Sequence, residues 1–119
     1  MKFLENKKIL IVITGGIAAY KSLDLMRKLS KLNCEIKTIL TKGGKEFVTP
    51  LSITSLSKNK VYTDLFSVEN ESEMDHISLS RWSDLILVAP ASSNFLTKIS
   101  NGFSDDLAST VIKASDKKV

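Results

Sequence analysis

An α/β fold, a parallel β-sheet covered by helices on both faces in three layers, is what this sequence predicts. Three observations carry that expectation. The 119 residues alternate between short runs rich in β-branched residues and stretches with helical spacing. The run at residues 8–13 is apolar without alternation, the mark of a strand buried on both faces. Three segments that follow such runs carry similar punctuation: Thr14-Gly15-Gly16, Thr41-Lys42-Gly43 and Ser92-Ser93-Asn94. In parallel sheets the strands are joined by right-handed crossovers, and ligands bind outside their carboxyl ends near a switch in strand order.

Each element follows from its residues. After the strand at 8–13, Ile17, Tyr20, Leu23, Met26, Leu29 and Leu32 recur on one helical face, and Asn33 is a plausible end. Residues 34–40 read as a second strand, closed by Thr41-Lys42-Gly43-Gly44. Thr49 before Pro50 is an N-cap followed by a proline suited to a first helical turn, so 51–56 is expected to be a short helix. Residues 58–75 are polar, with Val61, Tyr62, Leu65 and Phe66 as anchors, and predict a long loop with a short strand or turn. A short helix at 76–82 and a buried strand at 85–89 follow. Helices at 95–100 and 107–114 are joined at Asn101-Gly102, and 117–119 read as the approach to a further strand. No repeat or linker interrupts the pattern, which predicts one domain over 1–119.

Composition narrows the function classes. Hydrophobic residues make up 43% and charged residues 25%, the balance of a globular chain. The longest apolar runs are far too short to span a bilayer, and the first eight residues have no signal-peptide core, so a cytoplasmic protein without a membrane partner is expected. Fifteen of the 17 basic residues are lysines and they are scattered, unlike the clustered stripe of a nucleic-acid binder. One cysteine, Cys34, excludes an internal disulfide and reads as a small core residue. One histidine, His76, excludes a His-rich metal cluster; any imidazole chemistry falls to it.

The strand ends are the candidate site. Small side chains, hydroxyls, amides and free N–H groups at helix starts suit an anion, above all a phosphate. Gly15 and Gly16 either let such a ligand approach the backbone or simply form a tight turn. The segment is neither GxGxxG nor a P-loop. Lys21 reads as a solvated helix residue. His76 either acts as a proton acceptor or pairs with Asp75 at a helix start. The Asp105-Asp106 pair reads as a cap for the helix at 107–114.

Taken together, "GGIAAYK", "HISLSRWSDLILVAPASSNFLTKI" and "NGFSDDLAST" resemble the homo-oligomeric flavin-containing cysteine decarboxylases, with phosphopantothenoylcysteine decarboxylases the most similar branch. The resemblance runs from about residue 8 to 119 and implies a Rossmann-like or flavodoxin-like fold. It implies flavin mononucleotide (FMN) as cofactor. Gly15, Gly16 and Ile17 match the first FMN loop, and Thr41 and Lys42 the second. Ser92, Ser93, Asn94 and Phe95 match the phosphate loop, with Phe95 where the family often has threonine. His76 matches the family's active-site histidine. The substrate implied is a phosphorylated cysteine conjugate, oxidised to a thioaldehyde that loses carbon dioxide readily. The partner implied is a second copy, in a trimer or multiple of trimers. The family's substrate-binding asparagine and reducing cysteine have no match here. The sheet is therefore expected to lack the family's last strands, and a separate C-terminal piece is a possible partner. The same resemblance leaves open a non-catalytic flavin-binding regulator, a peptide cysteine decarboxylase or a flavin prenyltransferase of this fold.

Overall fold

Lys8–Ile13 form the central strand, β1, of a four-stranded sheet in the computed structural model, which describes residues 2–63 and 76–119. The run is apolar because both faces are covered: Ile9 is 2% exposed and Leu10 to Ile13 are at 0%. The chain continues through α1 (Ala19–Lys31), β2 (Glu35–Leu40), α2 (Pro50–Ser57), β3 (Val61–Tyr62), α3 (His76–Trp82), β4 (Leu85–Val88), α4 (Ser93–Ser100) and α5 (Leu107–Ala114). A 3-10 turn, Gly44–Glu46, lies between β2 and α2.

The strand order is β3-β2-β1-β4 and every pairing is parallel. Ile9 stands opposite Ile36 on one side and Leu85 on the other. The chain leaves β1 for β2 and β3, then returns to β1's other side as β4. The switch in direction therefore falls between β1 and β4, which places a ligand crevice at their carboxyl ends. The strand-like approach expected at 117–119 is present as one parallel bridge, Leu85 to Lys118, with Ile86 N–H donating to Lys118 O at 2.9 Å.

The period-2 geometry of β1 sorts the core into two halves. Ile9, Ile11 and Ile13 face α1 and α2, meeting Met26, Leu29 and Ile53. Leu10 and Val12 face α3, α4 and α5, meeting Leu79, Phe95 and Val111. Each such buried side chain contributes about 1.5–3 kcal/mol relative to exposure.

Three details differ from the sequence-based expectation. The first helix begins at Ala19, because 15–18 are spent on turns, and Tyr20 on its expected apolar face is 57% exposed. The helix expected at 95–100 starts at Ser93, because Ser92 caps it. Cys34 is half-buried rather than core, its thiol donating to Leu4 O at 3.2 Å. Burial pushes the Cys34 thiol's pKa up, so it stays a thiol. Leu65, Phe66 and Asp75 lie outside the described residues.

Candidate functional site

The ends of β1 and β4 are joined by one threonine. Thr14, 1% exposed, directs both its N–H and its hydroxyl to Pro90 O, and the hydroxyl accepts from Ser92 N–H at 2.8 Å. From α1, Ser22 Oγ donates to Ala89 O at 2.6 Å. These bonds fix the Ala89–Ser92 backbone against β1 and α1 together.

The ends of β1 and β2 are joined by a second threonine. Thr41 N–H and Oγ1 each donate to Ile13 O at 3.1 Å, and Oγ1 accepts from Gly44 N–H at 3.1 Å. A threonine hydroxyl has one proton and two lone pairs, so a single acceptor position is left over. Glycines let the loops close. A Cβ on Gly43 would lie 3.3 Å from Gly15 N and Cα, and one on Gly15 would lie 3.4 Å from the Gly43 backbone. A Cβ on Gly44 would lie 2.6 Å from Ile13 O. Gly16 has φ of +156°, a conformation that L side chains rarely adopt.

The helix starts around this edge are not equivalent. Thr49 caps α2, Ser92 caps α4 through Phe95 N–H at 3.1 Å, and Asp106 caps α5 in a capping box with Ser109. The start of α1 has no side-chain cap and no acidic residue in its first turn. The backbone closes this start on itself, Ala19 N–H donating to Gly16 O at 3.0 Å and Lys21 N–H to Ala18 O at 2.9 Å, and leaves the positive end of the helix dipole without an acid beside it. A helix start with no acidic neighbour suits an anion.

A cavity of about 380 Å³ lies among these ends, lined in part by Thr14, Gly15, Thr41, Lys42, Ser92 and Asn94. Of the residues singled out from sequence, Gly15, Thr41, Lys42, Ser92, Asn94 and Phe95 come together on its wall. Gly16, Ile17 and Ser93 do not line it, and Ile17 is 77% exposed at the loop's outer side. Phe95 reaches the cavity, yet its side chain is 4% exposed and belongs to the α3–α5 core. His76, half-buried at the first position of α3, lines neither this cavity nor its neighbour.

Thr14 and Gly43, from the same strand-end segments, also line the wall, together with Asp106, read from sequence as a helix cap, and Lys98, which no sequence signal singled out. Lys98 Nζ lies 3.1 Å from Asp105 Oδ1 and 3.5 Å from Asp106 Oδ2. Burial alone would lower the Lys98 pKa, but the hydrogen bond to Asp105 and the charge of Asp106 outweigh it and raise the pKa above its ordinary value. The same hydrogen bond from Lys98 holds the Asp105 carboxyl below its usual range. The raised lysine keeps its contribution until pH climbs through its folded pKa; the depressed carboxyl keeps its own until pH falls through its folded pKa. The clamp is therefore intact across the whole neutral range. Among the described residues no helix is long and apolar enough to cross a membrane, and no cluster of acidic, histidine or cysteine residues is built to hold a metal ion.

Comparison with known proteins places the chain in a family. The pattern of the Flavoprotein family matches residues 2–119. The chain is 42% identical over 119 residues to the Coenzyme A biosynthesis bifunctional protein CoaBC of Vibrio vulnificus, covering 100% of this chain and 30% of that protein. It is 40% identical over 109 residues to the probable phosphopantothenoylcysteine decarboxylase of Streptococcus mutans, covering 92% of this chain and 61% of that protein. The solved structure of the FMN binding protein AtHal3 superposes with a TM-score of 0.77 at 28% identity, covering 94% of this chain and 61% of that one. The chain thus spans less than a third of the bifunctional relative.

Proposed function

The chain belongs to the Flavoprotein family, and on that premise we propose that it is the FMN-binding part of a phosphopantothenoylcysteine decarboxylase. The observation that carries this reading is the end of β1, Thr14 and Gly15, facing Ser92, Asn94 and Phe95 across one cavity, with Gly43 of the β2 loop beside it. Similarity over the full 119 residues to a coenzyme A biosynthesis protein supports the substrate.

In this reading Gly15, Gly16 and Ile17 hold the cofactor through backbone N–H groups at the start of α1. Thr41 offers its spare lone pair, and Lys42 its charge. Ser92, Ser93 and Asn94 surround the phosphate; the Ser92 hydroxyl accepts from Phe95 N–H and keeps its own proton to donate. Phe95 serves by fixing that turn from the core. Bound there, FMN would supply a two-electron oxidation of the substrate's cysteinyl group to a thioaldehyde, from which carbon dioxide would leave readily. His76 takes up the proton released in that oxidation, a role suited to imidazole near neutral pH. The reading further holds that the protein is cytoplasmic and works as a trimer or multiple of trimers. The asparagine for the substrate carboxylate and the reducing cysteine come from outside these 119 residues.

The test is the visible absorbance spectrum of the purified chain, with the released chromophore identified by mass. Bound FMN is the expected result; a colourless protein that takes up no added FMN would overturn the cofactor assignment. His76→Asn is expected to retain FMN and lose substrate-driven bleaching of the flavin. Bleaching at the unchanged rate would remove His76 from the mechanism.

A further inference from the structure

The cavity of the proposed flavin site has a neighbour. A second one, of about 420 Å³, opens at the ends of β2 and β3 against the first turn of α5. The two share Thr41, Lys42, Lys98 and Asp106, so they form one continuous groove along the edge of the sheet. Their charges are differently disposed. Lys98 is more than compensated by Asp105 and Asp106, a trio with one negative charge in excess that Lys42 and Lys45 together turn to a net positive wall. Lys42 is exposed on the shared wall and Lys45 lines the second cavity alone. Among the described residues neither lysine pairs with an acid. Thr63 adds a hydroxyl on the same wall. The start of α5 contributes nothing to an anion, because Asp106 already fills its cap.

We propose that this second cavity binds the phosphate monoester end of the substrate, with Lys45 as its own cation and Lys42 between the two cavities. This rests on the reading above, in which the substrate carries a phosphate at one end and the reacting cysteine at the other. In that reading the first cavity is taken by the cofactor's phosphate. A second dianion needs its own positive charge, close to the first site and outside it. A lysine ammonium on a flexible stem is a point-charge phosphate binder that needs no fixed fork geometry. The compensated Lys98 cannot serve without leaving two carboxylates unpaired, so Lys42 and Lys45, which pair with no acid among the described residues, carry the site. A terminal hydroxyl in place of the phosphate would leave both in water and gain nothing from them.

Titration calorimetry with 4'-phosphopantothenoylcysteine and with unphosphorylated pantothenoylcysteine tests this, on the chain with and without added FMN. The wild-type chain is expected to bind the phosphorylated compound roughly tenfold more tightly, as one or two charge-assisted contacts require. Lys45→Gln is expected to shrink that preference to about threefold, and Lys45→Arg to keep it. The backbone bond from Lys45 N–H to Thr41 O, 3.1 Å, survives either change, so the turn is retained. A wild-type chain without preference, or a Lys45→Gln variant that keeps all of it, overturns the proposal. Absence of FMN uptake would instead overturn the cofactor reading, and the preference measured without flavin still decides the second cavity.

Discussion

Two connections border the crevice, and they are held in opposite ways. The one after β1, residues 14–18, relies on residues that lack side chains: Gly15 lies against Gly43, Gly16 takes a φ of +156°, and the helix that follows has no cap. The one after β4, residues 89–92, relies on side chains: Thr14 and Ser22 hold its carbonyls, and Ser92 closes the helix behind it. The first leaves hydrogen-bonding capacity open and the second uses most of its own. A chain that needed only two turns could cap both. In the reading proposed above, the guest lies between the two, against an open β1 side and a braced β4 side that serves as its wall.

Substitutions can break or sharpen that contrast. The largest effect is expected from Gly44→Ala, whose methyl would meet Ile13 O at 2.6 Å and Leu40 Cδ1 at 2.7 Å. Backbone cannot yield cheaply there, and a loss of about 2–3 kcal/mol in urea unfolding is expected. A loss under 0.5 kcal/mol, on the order of a neutral surface change, would show that the β2 turn is looser than described. Next, Gly15→Val places branched carbons against Gly43 and into the cavity, and should weaken FMN retention at least tenfold, read by flavin absorbance per chain. Wild-type flavin occupancy in that variant would remove the β1 connection from the binding site.

Ser92→Ala probes the other connection. It removes one helix cap and should cost about 1 kcal/mol, with a smaller loss of flavin than Gly15→Val. A larger flavin loss than Gly15→Val would reverse the assignment of guest and wall. The smallest effect is expected at Thr38, whose buried Oγ1 has no hydrogen-bond partner among the described residues. Thr38→Val keeps the shape and removes an unsatisfied group, so unfolding should be unchanged or more resistant by up to about 1 kcal/mol. A clear destabilisation would mean that this hydroxyl, like those of Thr14 and Thr41, has work to do.

The layers and the strand ends were legible in the sequence because their signals are local. Ile9 to Ile13 announce a doubly buried strand by composition, and Pro50 after Thr49 announces its own helix. What escaped depends on residues far apart in the chain. Thr14 looks like any hydroxyl beside two glycines, but its partners Pro90 and Ser92 lie 76 and 78 positions away. Thr41 was read as a ligand contact, while much of its hydroxyl's capacity goes to Ile13 and Gly44, a use no local pattern reveals. Lys98 meets Asp105 and Asp106 only because the chain folds back between α4 and α5. The glycine question had two local answers, ligand or turn; the packing adds a third, a facing glycine at position 43.

The meeting of Gly15 with Gly43 makes the two loops a single heritable unit. A Cβ at either position would come to contact distance of the other's backbone, so the width of the crevice is set jointly by two stretches of chain 28 positions apart. Anyone seeking to reshape this pocket for a different guest would have to vary both loops in one library. Single-site searches would change one wall while the other kept the old fit.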